Sequence, residues 1–219
     1  MIKSIFTLNL FVMVMLYSCR PGQHDGQEAP SYVVDSTLVK ELFVVDTHQE
    51  KSHPFRIDTS YSIDLNGDDV RDQVILYGIE HWEDPGEFQK IRIEMSGKAP
   101  YDLLNYDGWV SFNSNYPVSK KIAKQNELDS QILLVIEVAP GKKVVIVFGW
   151  VYASEPGLVT IIDPENQSIL FNKGWQLLEI SDNDSDGYLE LYGSSVLGGN
   201  IEMIDFAKQQ IALTQYHRF

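Results

Sequence analysis

Four oxygen-bearing side chains recur at short intervals in DLNGDDVRD, residues 64–72: Asp64, Asn66, Asp68 and Asp72. A second set stands in DNDSDGYLE, residues 182–190: Asp182, Asp184, Asp186 and Glu190. Like charges this close repel, and two arrangements offset the cost. Water solvates them on an exposed turn, or a cation shares them. Asp, Asn and Gly are the default residues of turns, which favours the first. The identical spacing in two places favours the second. Calcium takes about six to eight hard oxygen ligands at flexible distances. A loop with side chains at positions 1, 3 and 5, a main-chain carbonyl at 7 and a carboxylate at 9 supplies them. The first loop offers Asp64, Asn66, Asp68, the carbonyl of Val70, and Asp72. The second offers Asp182, Asp184, Asp186, the carbonyl of Tyr188, and Glu190. Gly67 and Gly187 permit a sharp turn where a Cβ would clash. The second loop has the larger number of carboxylates, so it is expected to bind the more tightly. The ion's expected role is structural: it neutralises the loop and pins two strands.

The elements that must position these loops are strands. FRIDTSYSI (55–63) and QVILYGI (73–79) flank the first loop; WQLLEI (175–180) and YLELYG (188–193) flank the second. ELFVV (41–45), KIRIEM (90–95), ILLVIEV (132–138), KVVIVFGWVY (143–152), LVTIID (158–163), IEMIDF (201–206) and IALTQY (211–216) complete the set. These runs are rich in β-branched and aromatic residues and are separated by turn signals such as EDPGE, APGK, DPEN and GGN. The expectation is an all-β domain of antiparallel sheets. Only STLVKEL (36–42) and SKKIAKQ (119–125) read as short helical turns. KVVIVFGWVY is apolar on both faces and reads as a central, fully buried strand. Trp109, Trp150 and Trp175, with Phe112 and Phe148, read as core rather than as a sugar-stacking platform.

The two loops belong to an internal repeat. ISDNDSDGYLELYG (180–193) echoes IDLNGDDVRDQVILYG (63–78), with the four acidic-loop positions at an offset of 118 residues, and FVVD (43–46) echoes TIID (160–163). Repeat units are expected near 41–95 and 158–216. Half the offset is about one four-stranded propeller blade, which places a middle unit without an acidic loop near 100–155. An EF-hand does not fit, because its position 12 needs a bidentate Glu and here holds Ile75 and Gly193. The loops resemble instead the calcium loops of integrin-type FG-GAP and VCBS repeat proteins, whose blades carry D-x-D/N-x-D-G-x-x-D/E before a strand. That resemblance implies propeller-like blades, with Ca2+ in the loops. The first loop departs from the pattern at Asp69, where Gly is expected, and no FG-GAP tripeptide is present. Three blades are too few to close a propeller, so a partial or atypical one is implied.

The chain of 219 residues carries 31 acidic and 17 basic side chains, a formal net charge of −14. That field repels nucleic-acid backbones and excludes DNA or RNA as a partner. At the N-terminus, Lys3 precedes the apolar run IFTLNLFVMVML (5–16), which has the length of a signal h-region. LYSC (16–19) follows and resembles a lipoprotein lipobox; Cys19 is the only cysteine of the chain. The resemblance implies a signal peptide at 1–18, cleavage before Cys19, and lipid on its sulfur. Residues 19–32 then form a flexible polar tether and 33–219 the β-rich domain. The expected location is the cell envelope, anchored to a membrane and facing the periplasm or the exterior.

Catalytic motifs are missing. There is no G-x-S-x-G elbow, no H-E-x-x-H and no phosphate-binding glycine loop. His48 and His53 in THQEKSHP read as surface residues, and His81 in HWEDPGE as part of a hairpin turn or loop tip. The expected function is therefore a non-catalytic binding or scaffold module with a protein or glycan ligand. The rivals are a small exported hydrolase acting on glycans, and a β-rich lipoprotein whose acidic turns hold no metal.

Overall fold

The computed structural model describes residues 31–39, 54–80, 87–112, 118–152 and 155–216. The signal segment, Cys19 and most of the tether lie outside them. So do ELFVV, FVVD, His48, His53 and His81. No helix among the described residues is long and apolar enough to cross a membrane.

The described chain is all-β, with antiparallel pairing throughout its large sheet. The strands are β1 (Val33–Val34), β2 (Phe55–Ile63), β3 (Asp72–Ile79), β4 (Phe88–Glu94), β5 (Tyr101–Val110), β6 (Leu133–Ala139), β7 (Lys142–Tyr152), β8 (Glu155–Asp163), β9 (Ser168–Ser181), β10 (Glu190–Ser195), β11 (Glu202–Asp205), β12 (Gln210–Ile211) and β13 (Thr214–Gln215). Strands β2 to β5 form one meander. Strands β6 to β9 form a second. The long β9 serves two ladders: Ser168–Gly174 pairs with β8, and Trp175–Ser181 pairs with β10, which continues to β11 and β13. Strand β5 pairs with the second meander through Trp109↔Gly149 and Val110↔Phe148.

The β6–β7 hairpin is covered on both faces. Successive side chains of a strand point to opposite sides, so parity sorts its residues. Leu134, Ile136, Val138, Val144, Ile146 and Phe148 pack in a core with Trp175, Leu191 and Phe206. Leu133, Val135, Val145 and Val147 pack in a separate core with Val74, Ile91 and Trp109. The first meander thus covers one face and the β9–β11 strands the other. Each fully buried Val, Leu or Ile contributes about 1.5–3 kcal/mol, so a strand apolar on both sides requires a layer on each. This is the setting expected for KVVIVFGWVY. Trp109, Trp175, Phe112 and Phe148 are core, while Trp150 is half-buried.

Two elements differ from the sequence expectation. Strand β5 was not foreseen: YDLLNYDGWV mixes Asp, Asn and Gly into a strand. Asp102 faces outward and takes Arg92 in a bidentate pair at 2.7 Å, while Asn105 bonds the Gly108 carbonyl inside an irregular stretch. The stretch from Tyr101 to Val110 pairs with β4 and, at its end, with β7. IALTQY is two short strands, β12 paired in parallel with β1, and β13 at the edge beside β11. Both expected helical turns are present: a 3-10 turn at Ser36–Leu38, capped by Asp35, and a helix at Lys120–Ala123, capped by Ser119.

Candidate metal centre

Both acidic loops are eight-residue connections in matching hairpins. Ile63 pairs with Asp72 across the first, and Ser181 with Glu190 across the second. The last acid of each reaches back to the second residue of its loop. Asp72 Oδ2 accepts the Leu65 amide at 2.8 Å, and Glu190 Oε2 accepts the Asn183 amide at 2.9 Å. Val70 and Tyr188, whose carbonyls are the expected position-7 ligands, donate their amides to Asp68 and Asp186 at 2.8 and 2.9 Å.

The backbone solves the turn the same way in both, with different residues. Positions 4 and 6 are left-handed in each loop: Gly67 (φ 75°) and Asp69 (φ 63°), then Ser185 (φ 63°) and Gly187 (φ 88°). Each loop places glycine at one of the two positions and an L-residue at the other. Asp69, the departure from the repeat pattern, therefore stands at the position Gly187 fills.

The side chains separate the two loops. In the first, protein donors meet both oxygens of all three carboxylates. Asp64 takes the amides of Asn66, Gly67 and Asp69 at 2.7–3.2 Å. Asp68 takes Val70 N and Asn66 Nδ2. Buried Asp72 takes Leu65 N on one oxygen and Ser96 N, at 3.1 Å, on the other. Burial pushes the Asp64 carboxyl up, but the amides of Gly67, Asp69 and Asn66, with the Lys143 charge, outweigh it and hold it below the usual range. Lys143 also clamps the loop, donating to the Asp64 carbonyl at 2.9 Å.

In the second loop the carboxylates of Asp182, Asp184, Asp186 and Glu190 converge, each offering one oxygen within 4.8 Å of the others. They form the one such acidic group among the described residues. Asp182 receives Asp186 N and Gly187 N, both at 3.1 Å. Asp184 receives Asp186 N at 3.2 Å. Glu190 is 3% exposed. Its Oε2 accepts Asn183 N and the Tyr192 hydroxyl, at 2.9 and 3.2 Å. Its Oε1 is buried with no hydrogen-bond partner among the described residues, and so is the hydroxyl of Ser181 across the ladder. The cause lies in the neighbouring strand. The amide that would correspond to Ser96 in this repeat is that of Phe206, which bonds the Leu189 carbonyl instead. Burial pushes the Glu190 carboxyl up; the bonds from Asn183 and Tyr192 oppose this, and the charges of Asp184 and Asp205 add to it.

An unpaired buried carboxylate oxygen is costly, and a proton or a cation resolves it. Hard, converging oxygens suit calcium better than a transition metal. Eight of the ten sequence-derived ligand positions thus lie in the two hairpin loops, and Asp72 and Glu190 open the strands that follow; among the described residues the structure gathers carboxylates only at the second loop. Sequence reasoning missed the roles of Tyr192, Asn183, Lys143 and Ser96. At the offset of 118 residues Tyr192 stands where the first repeat has Val74, so the repeat does not reveal the Glu190 contact.

Antiparallel all-β architecture with acidic hairpin loops defines the class of this protein. Comparisons with protein-family models, with curated proteins and with solved structures return no match.

Proposed function

We propose that this chain is an exported, lipid-anchored, non-catalytic binding or scaffold module whose antiparallel meanders act as propeller-like blades with structural calcium. The observation that carries the calcium reading is the buried, unpartnered Oε1 of Glu190 in the carboxylate group of the second loop. Loop one is the weaker calcium site, because its carboxylates already have protein donors. The layering supports the blade reading: two cores on opposite faces of β6–β7 are what stacked blades would produce. The anchor rests on the lipobox-like LYSC and its Cys19, and the partner class on the lack of catalytic motifs in an acidic domain. The ligand is a protein or a glycan presented outside the membrane.

Thermal unfolding in EDTA, then in millimolar calcium, with magnesium as control, tests the metal. At about ten times its dissociation constant, one ion adds roughly 1.4 kcal/mol, a rise of about 3–6 °C for a domain of this size. The rise is lost in Asp186→Ala. No calcium-specific shift in the parent protein refutes the metal. Palmitate labelling that disappears in Cys19→Ser tests the anchor; labelling that persists in the variant, or is missing from the parent, refutes it.

A further inference from the structure

Away from the acidic loops, the start of β7 and the end of β8 bury a lysine against an aspartate. Lys142 is 1% exposed and Asp163 0%. The Lys142 Nζ lies 2.7 Å from both carboxylate oxygens of Asp163. An amine equidistant from both oxygens at this range stands within contact of the carboxyl carbon. Glu165 places Oε2 3.9 Å from the same Nζ and is partly open to solvent. The Asn166 amide donates to Asp163 Oδ1 at 3.0 Å, and its side-chain Nδ2 to Oδ2 at 2.8 Å. The Tyr32 ring centroid lies 5.8 Å from the same Nζ.

We propose that Lys142 and Asp163 condense into an intramolecular isopeptide bond, with Glu165 as the proton carrier. Burial disfavours the charged pair, and transfer of one proton from Nζ to the carboxylate leaves a neutral amine and a carboxylic acid. The amine attacks Cγ of Asp163 and forms the new C–N bond. Negative charge gathers on the carboxyl oxygen that stays, where the Asn166 donor already bonded to that oxygen stabilises it. Glu165 accepts a proton from Nζ and delivers it to the departing hydroxyl. The C–O bond breaks, water leaves, and Glu165 is restored to its starting state. The sum is one amine and one acid converted to one amide and one water, with no oxidant or co-reactant. Fixed proximity of a buried amine and acid favours the amide, which in bulk solution would be disfavoured. The bond would close the open end of the β7–β8 hairpin. A chain with a single cysteine has no intramolecular disulfide to do this.

The test is peptide mapping by mass spectrometry of the purified full-length protein. Trypsin does not cleave after an acylated lysine. The expected result is a branched peptide joining the Lys142 and Asp163 segments, lighter than its two parts by one water. Fragmentation must place the loss on that junction, which distinguishes it from a cyclised aspartate elsewhere. Glu165→Gln is expected to keep the fold and yield the two uncondensed peptides. Recovery of a linear peptide cleaved after Lys142 from the folded parent protein overturns the proposal and leaves a permanent ion pair. A fully condensed Glu165→Gln variant overturns the role of Glu165. The parent measurement decides even if substitutions at Lys142 or Asp163 fail to fold.

Discussion

Asn183 and Glu190 repeat, 118 residues later, the bond that joins Leu65 to Asp72: a loop amide held by the carboxylate that opens the next strand. The two bonds match in length and register. What differs is the second oxygen, which Ser96 occupies in Asp72 and which nothing occupies in Glu190.

Under the proposed calcium reading, that difference gives Asp72 a structural role and Glu190 a metal-binding one. Asp72→Ala frees two backbone amides, and losing a charged acceptor for a buried donor costs about 2–3 kcal/mol. The cost is expected in EDTA and calcium alike. Glu190→Gln keeps an acceptor for Asn183 and removes the charge, so it is expected to abolish the calcium response while changing metal-free stability far less. Chemical denaturation of both variants, with and without calcium, checks this. Equal calcium responses in the two proteins would refute the division of roles.

The left-handed positions give a paired prediction. Ser185→Gly and Asp69→Gly relieve non-glycine residues at φ 63° and are expected to stabilise by up to about 1 kcal/mol, serine more than aspartate, which tolerates this region better. Gly67→Ala and Gly187→Ala are expected to destabilise by about 1 kcal/mol. Neither glycine has a neighbour within 4 Å of a built Cβ, so the effect is conformational and not steric. Midpoints of urea unfolding rank the four variants.

Gly193 is constrained by space instead. It sits at the irregularity where β10 crosses onto Trp175, and a Cβ there would stand 2.5 Å from the Gln176 carbonyl and 2.5 Å from Cζ2 of the indole. Gly193→Ala is expected to cost about 1–3 kcal/mol. Tryptophan fluorescence through thermal unfolding reports both the lost stability and the moved ring.

The outer face of the first meander carries a pH-dependent contribution. The Arg92 guanidinium, with burial opposing it and Lys90 assisting, holds the Asp102 carboxyl below its ordinary value of 3.8. A lowered folded-state value means the pair stabilises fully above that ordinary value, and the gain is lost as pH falls through the folded one. Asp102→Asn is expected to remove up to about 1 kcal/mol at neutral pH, as befits a partly exposed pair. It is also expected to flatten the acid limb of the stability curve below pH 3.8. A pH series of denaturation midpoints for parent and variant measures both.

The sequence by itself determined the all-β class, the strands that flank each acidic loop, and the burial of KVVIVFGWVY. Period-two alternation and turn chemistry are local signals, and these elements obey them. It also placed both loops in equivalent hairpins, because the spacing of Asp64 to Asp72 and Asp182 to Glu190 repeats residue for residue. Strand β5 escaped it, since Asp102 and Asn105 are stabilised by Arg92 on a neighbouring strand and by a local irregularity that no pattern displays. The division of roles between the loops escaped it too. In one dimension Asp72 and Glu190 are the same position. Only the packing of the next turn decides whether a backbone amide arrives to satisfy the second oxygen, and it arrives from Ser96 but not from Phe206. The Lys142–Asp163 contact was equally invisible, for it joins residues 21 apart across a strand pair whose register is set by the two cores on either side.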